Sequence, residues 1–476
     1  MSIVSSQMTK TEVVVIGSGP GGYVAAIRLG QLGKKVVLIE KNKLGGVCVH
    51  EGCVPSKALI AASKFVKKAR NATKMGIDAE VNVDLQRLQM WKQGVVDRLA
   101  LGIQQLCKLN RVQTISGDAE FVSKDQIKVA TSTSSILIEF ENAIIATGSS
   151  PMTLPGIVPD GKRVITSSEA LALTEIPKRM LIIGGGVIGL EIGMAYANLF
   201  QTELTVVEVM DQLLPDIDPE LVTFVSRSLE KLNAKIHLKS KVKAVLPFDR
   251  EIRVVFESGG EESEAVVDYV LLSVGRTPNS ANLGLEKIGI KLNSKGFIAV
   301  DSRLRTNVQN IFAIGDVVGG PLLAHKASRE GIVVAETICG QDVSFDNAII
   351  PSAIFTDPEI SVVGMNSAKS AGGDIPTIIG KFPFLANAKA LASDEPEGFS
   401  KIVADARTKR VLGVGIVGGE SSDLISEASL AIQVGATLDD IASTVHPHPT
   451  LSESIMEAAE NAMGKAIHIQ NRRRDN

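Results

Sequence analysis

The sequence carries G-x-G-x-x-G twice, at Gly17, Gly19 and Gly22 and again at Gly184, Gly186 and Gly189, each time where a short apolar run ends. Those runs, residues 12–16 and 180–183, read as strands, and each is followed by a helix-like stretch and a second apolar run, 36–40 and 204–208. This is the βαβ pattern of a parallel sheet. The glycines let the chain turn sharply and bring its backbone against a pyrophosphate, which the amides opening the next helix can hold. Glu40 and Glu208 close the second runs about 20 residues beyond each fingerprint, where a carboxylate accepts from a ribose hydroxyl. A lone glycine trio can reflect helix packing alone; two trios, each with a strand before and an acid after, point to two dinucleotide folds. Glu208 is followed by Val209 and Met210, with no arginine to receive a 2′-phosphate, so NAD fits the second fold better than NADP.

The chain has 476 residues, enough for about three domains of roughly 100–200 residues. A third strand-like run, 310–314, meets Gly315. Pro177 precedes the second unit and the polar stretch 275–282 follows it, which places boundaries near 150 and 280. Beyond about residue 350, strands such as 401–404 and 413–417 alternate with helices such as 426–434 without a fingerprint, an α+β pattern. The expected fold is therefore α/β, two Rossmann-like dinucleotide-binding domains with an α+β C-terminal domain. A net charge of −3 excludes the basic field of a nucleic-acid binder, and Arg472 to Arg474 read as a solvated terminus. The first ten residues lack the pattern of a signal peptide, and no apolar run approaches the ~20 residues of a membrane helix, so a cytoplasmic protein free of membrane is expected. Four cysteines are too few to staple this chain. Cys107 and Cys339 lie in apolar-periodic surroundings and read as buried small hydrophobes.

Cys48 and Cys53 stand apart. They occur in Gly45-Gly46-Val47-Cys48-Val49-His50-Glu51-Gly52-Cys53-Val54-Pro55-Ser56-Lys57, just after the first unit's second strand, near the sheet end where a nucleotide sits. Residues five apart on a regular helix are too distant for a disulfide, so any helix here must be irregular, with Gly52 and Pro55 as the cause. Two idle thiols or an inert disulfide are the bland readings. A metal site fails for want of a second ligand pair, since His50 alone is insufficient. A redox pair is favoured, because an accessible, strained disulfide exchanges with a substrate thiolate. Near the C-terminus, His446-Pro447-His448-Pro449-Thr450-Leu451-Ser452-Glu453 opens a helix running to about Met463. His448 could accept a thiol proton with Glu453 fixing its tautomer. Glu453 fits equally the capping box Thr450-x-x-Glu453, and the sequence alone leaves the two readings level.

Further segments complete a pattern: Ala146-Thr147-Gly148, Gly275-Arg276-Thr277-Pro278-Asn279, Ala313-Ile314-Gly315-Asp316 and Leu323-Ala324-His325-Lys326-Ala327. With the motifs above, they resemble the pyridine nucleotide-disulfide reductase family over essentially the whole chain, and within it the members that oxidise dihydrolipoyl groups. The resemblance implies an FAD-binding domain from residues 1–150 together with 280–349, an NAD-binding domain over 151–279 and an interface domain over 350–476. It implies FAD at Gly17, Gly19, Gly22, Glu40, Lys57, Ala119, Thr147, Gly148, Asp316 and Ala324, with Asp316 bonded to the ribityl or ribose region. NAD would lie on Gly184, Gly186, Gly189, Glu208, Val242 and Gly275, and no metal is implied.

By the same resemblance, a dihydrolipoyl thiolate attacks Cys48, His448 of the partner subunit takes the proton, Cys53 becomes the thiolate facing the flavin, and hydride passes on to NAD. Lys57 would pair with Glu191 near the flavin, and Glu453 would orient His448 as well as cap its helix. The implied assembly is a homodimer serving the lipoyl domains and core acyltransferase of 2-oxo acid dehydrogenase complexes. The chain departs from the family at Val47 and His50, where Thr and Asn are usual. These departures bear on the redox potential and pH profile, not the reaction class, and His50 reads as a solvated or hydrogen-bonded bystander. A glutathione-type reductase would want an arginine after Glu208, and a mercury-reducing relative a C-terminal cysteine pair; neither is present. An idle scaffold subunit is the rival from another class, disfavoured by Cys48, Cys53, His448 and Glu453 standing at working spacing.

Overall fold

The computed structural model describes residues 7–345, 349–366 and 375–471; the basic run at 472–474 lies outside them. In the first sheet, Gln113–Ser116, Val36–Glu40, Gln7–Ile16 and Ser135–Ile145 lie side by side and parallel. Val13, Val14 and Val15 are fully buried, as a strand covered on both faces requires. The free edge of Ser135–Ile145 is shared: its first half pairs antiparallel with Gln126–Ala130, and its last residues pair parallel with Ile311–Ala313. The chain thus leaves this sheet, builds a second one and returns.

The second sheet is parallel throughout, in the order Lys235–His237, Glu203–Val207, Arg179–Ile183, Tyr269–Leu272, Val164–Ile165. A three-stranded antiparallel sheet, Ser240–Phe248, Glu251–Ser258 and Glu261–Val267, accompanies it. Ser149–Pro151 and Arg276–Pro278 form a two-stranded ribbon at the crossings between the first two sheets. The third large sheet is antiparallel, in the order Ser352–Ile354, Ile360–Gly364, Val411–Val417, Phe399–Asp405, Thr377–Pro383. Helices Ser421–Val434 and Glu453–Ala462 share its core. The fold is two Rossmann-like α/β units plus an α+β unit.

Close packing explains one distant glycine. A Cβ on Gly331, in helix Ala324–Ile338, would lie 2.6 Å from Gly21 O and 3.1 Å from Ala25 N in helix Pro20–Gln31. The returning segment is therefore seated directly on the first fingerprint helix. One expectation needs correction. Cys107 is buried, but Cys339 is only partly so, because it ends its helix where Lys34, Glu12 and Arg28 approach. The last helix, Glu453–Ala462, is capped at Met463, where the sequence places its end, and its first residue is Glu453.

Candidate active site

The fingerprints meet steric limits that no other residue satisfies. Gly17 has φ +95°, and a Cβ there would sit 2.4 Å from Ala146 O. A Cβ on Gly22 would lie 1.9 Å from Gly17 O, and one on Gly189 2.6 Å from Ile182 Cγ2. Gly19 and Gly186 differ: each precedes its helix, and a Cβ would meet nothing within 4 Å. Both front open space beside helix-opening amides, a cradle that a pyrophosphate fits. Glu40 accepts from Ser18 N at 2.8 Å, Ser18 Oγ at 2.7 Å and Asn42 N at 2.8 Å. Glu208 accepts from Gly185 N at 2.5 Å and Met210 N at 2.8 Å. Both carboxylates are thus fixed at sheet ends as acceptors. Gly22→Ala is expected to cost about 3 kcal/mol or more, because backbone must move to admit the methyl. Thermal unfolding with flavin absorbance checks this; an unchanged Tm and full colour would contradict it.

The returning segment brings Asp316 beside the loop after Ser135–Ile145. Ser149 Oγ donates to Asp316 Oδ2 at 2.5 Å, and Arg276 Nε stands 2.7 Å from Ser149 Oγ and 4.0 Å from Asp316 Oδ2. Burial pulls the Arg276 guanidinium below its usual range while Asp316 and Cys53 draw it back. Thr147 Oγ1 donates to Asn279 O at 2.7 Å, and Asn279 Nδ2 to Thr147 O at 2.9 Å, while Gly148 turns with φ +71°. Ala119 is buried in Asp118–Phe121, close to the Glu40 end of its sheet. Ala324 opens its helix. On the other unit, Val242 stands at an irregularity in Ser240–Phe248 and Gly275 turns with φ +126°. Ser18, Ser149 and Arg276 escaped sequence reasoning as site residues, since nothing local marks a long-range hydrogen bond.

The cysteine segment forms two helices, Gly46–His50 and Cys53–Arg70, broken at Glu51 and Gly52. Gly52 is the break. Pro55 is not, for it occupies the first turn of the second helix, where an N–H is not needed. Gly45 and Gly46, with φ +109° and +64°, press the segment onto the first fingerprint: Gly45 N donates to Ser18 Oγ at 3.0 Å, and a Cβ on Gly46 would lie 2.7 Å from Gly19 Cα. Cys48 and Cys53 are free thiols that share a hydrogen bond. That hydrogen bond brings the Cys53 thiol below its usual range; burial opposes it, and Lys57 one turn on adds to it. The same pairing, with burial, pushes Cys48 up. Cys53 is thus the preferred thiolate at the opening of a helix. His50 turns away, its Nε2 2.9 Å from Leu44 O.

Lys57 Nζ lies 2.8 Å from Glu191 Oε2 and 4.4 Å from the centre of the Phe355 ring, and Phe355 N donates to Glu191 Oε1 at 2.8 Å. One buried carboxylate therefore joins the cysteine helix, the second fingerprint helix Val187–Phe200 and the third unit. His448 is 71% exposed, with its Nδ1 2.9 Å from Glu453 Oε1. Glu453 Oε2 meanwhile accepts from Thr450 N at 2.8 Å, so the carboxylate makes both contacts that the sequence left level. Burial pulls Glu453 upward, but the Thr450 amide, His448 and His468 outweigh it and hold the carboxyl below its usual range. Among the described residues no hydrogen bond or ion pair joins His448 to either thiol of its own chain. Nor does any group of three or more His, Cys, Asp or Glu there suit a metal ion. No helix among them is long and apolar enough to cross a membrane.

Two dinucleotide folds with a thiol pair docked on the first fingerprint define a class, the nucleotide-dependent dithiol–disulfide oxidoreductases. Comparison with known proteins gives the same answer. Residues 11–331 match the pyridine nucleotide-disulphide oxidoreductase family and residues 350–459 its dimerisation domain, and the chain belongs to that family. It is 47% identical to the dihydrolipoyl dehydrogenase of Bacillus subtilis over 97% of this chain and 98% of that one. It is 44% identical to that of Haloferax volcanii, over 99% and 100%. Among solved structures, LpdA of Mycobacterium tuberculosis superposes with a TM-score of 0.89 at 29% identity, covering 95% of this chain and 99% of the other.

Proposed function

We propose that the protein is an NAD-dependent dihydrolipoyl dehydrogenase, oxidising protein-bound dihydrolipoamide through Cys48 and Cys53. The observation that carries this reading is a pair of cysteines on a segment docked against the first fingerprint, with Cys53 opening a helix and Lys57 one turn further on. The named relatives support the substrate class.

Residues 1–150 with 280–349 would hold FAD, and residues 151–279 NAD, on the residues already described; their cradles and acceptors suit both. A flavin bound there supplies the two-electron link between thiols and nicotinamide. The chain's own residues do the rest. Cys48 of the disulfide receives the substrate thiolate, releasing Cys53 as thiolate. His448, oriented by Glu453, takes the substrate thiol proton. Lys57, held by Glu191, keeps positive charge near Cys53 and the flavin site. Because His448 makes no bond to its own chain's thiols, the reading assigns it to the site of the partner subunit, and residues 350–476 to a homodimer interface. Cytoplasmic service to the lipoyl domains and core acyltransferase of a 2-oxo acid dehydrogenase complex completes the proposal.

Anaerobic titration with dihydrolipoamide tests it. A long-wavelength absorption band from the Cys53 thiolate is expected, and its absence with intact flavin would refute the assignment. Glu208 also sets nucleotide choice: NADH should outperform NADPH at least about tenfold, since repulsion of a 2′-phosphate supplies ~1.4 kcal/mol or more. Equal steady-state rates with both would contradict it.

A further inference from the structure

The two crossings between the first and second sheets are clasped together by side chains. In their ribbon, Pro278 pairs with Ser149 and Arg276 with Pro151. The Arg276 side chain nevertheless reaches along the ribbon to Ser149, with Nε 2.7 Å from Ser149 Oγ and Nη2 2.6 Å from Ser149 O. A guanidinium can only donate, so the Ser149 hydroxyl accepts from Arg276 and gives its own proton to Asp316 Oδ2, 2.5 Å away. The direction of the chain is therefore fixed: Arg276 to Ser149 to Asp316. Ser149 is 3% exposed, so water does not compete for either bond. The Asp316 backbone is held separately, by Gly315 N on Glu330 Oε2 at 2.7 Å and by Gly319 N on Asp316 O at 3.1 Å. What Arg276 and Ser149 add is the direction of the carboxylate. With Oδ2 taken, Oδ1 has no donor among the described residues.

We propose that Arg276, which follows the second sheet in the chain, is a positioning residue of the flavin site, acting through the Ser149 hydroxyl to present Asp316 Oδ1 as an acceptor. The inference rests on the reading of residues 1–150 with 280–349 as the flavin fold, and deepens it. A free carboxylate turns about its Cβ–Cγ bond, and stopping that rotation on binding weakens affinity. Here folding has stopped it already. Arg276 Nε stands 4.0 Å from Asp316 Oδ2, beyond hydrogen-bond reach, so the hydroxyl is the route by which it aims the carboxylate. The loop that carries Ser149 does not depend on Arg276 to stay closed. Asn279 Nδ2 donates to Thr147 O at 2.9 Å, and Ser150 Oγ donates to Asn279 Oδ1 at 2.7 Å. Loss of the arginine should therefore release the Asp316 side chain and leave the crossing in place.

The test is the FAD dissociation constant of the full-length holoprotein, dialysed to equilibrium with free FAD read by its fluorescence. Ser149→Ala and Arg276→Met should each raise it about tenfold, the order expected for a lost hydrogen bond to a charged group. Because the two residues act as one chain, the double variant should again bind about tenfold more weakly, and not about a hundredfold. Ser149→Thr keeps the hydroxyl and should stay within about threefold of wild type. Should Arg276→Met not accumulate, Arg276→Leu carries the same expectation. Unchanged affinity in either single variant overturns the inference, as do multiplying losses in the double variant. A loss in Ser149→Thr equal to that in Ser149→Ala also overturns it, since packing and not the hydroxyl would then be at work. Wild-type protein that takes up no FAD overturns the inference together with the flavin assignment, whereas flavin retained without dihydrolipoamide oxidation overturns the dithiol reading alone.

Discussion

Replacing Cys53 by Ser lowers dihydrolipoamide oxidation by at least about a thousandfold, because a serine hydroxyl at neutral pH offers neither the leaving thiolate nor a sulfur to re-form the bond. The geometry makes this loss specific. Cys53 opens helix Cys53–Arg70, where aligned peptide dipoles favour negative charge, and Lys57 stands one turn further on. Serine is smaller by little and helix-compatible, so the variant should fold and retain flavin. The measurement is steady-state turnover with dihydrolipoamide and NAD, together with loss of the long-wavelength band. Turnover within tenfold of wild type would sink the electron path proposed here.

His448→Gln should cost about 10²–10⁴-fold in the same reaction, the usual worth of a positioned general base. Its effect should fall on kcat with dihydrolipoamide and leave the KM for NAD little changed, since the histidine lies on the α+β unit and not on either nucleotide fold. Glu453→Gln keeps a hydrogen bond to the ring but not the charge that favours the imidazolium, so its loss should be smaller. Mixed dimers discriminate further. A dimer with one Cys53→Ser chain and one His448→Gln chain should retain one working site, because the two lesions then fall on a single composite site. Two dead sites in that mixed dimer would place thiols and base in the same chain.

Much of the fold was legible because its demands are local. Gly17, Gly22 and Gly189 sit where a Cβ would strike backbone or packed side chains, and that constraint shows as a short glycine spacing after an apolar strand. Glu40 and Glu208 were legible for the same reason, each ending a strand at a fixed distance from its fingerprint. The cysteine segment was readable as irregular. Its break was assigned to both Gly52 and Pro55, whereas only Gly52 acts, since proline is at ease in the first turn of a helix.

What the sequence by itself determined is therefore the set of local conformations: strand, glycine turn and helix opening, twice over, with a thiol pair between. Tertiary structure decided which distant groups share one charge environment. Glu191 receives Lys57 and the Phe355 amide from two distant parts of the chain, Asp316 meets Ser149 only because Ile311–Ala313 returns to the first sheet, and His468 reaches Glu457 by a fold-back turn. Backbone sterics act between near neighbours and leave a spacing in the sequence, whereas a hydrogen bond or ion pair needs only two atoms close in space and leaves none.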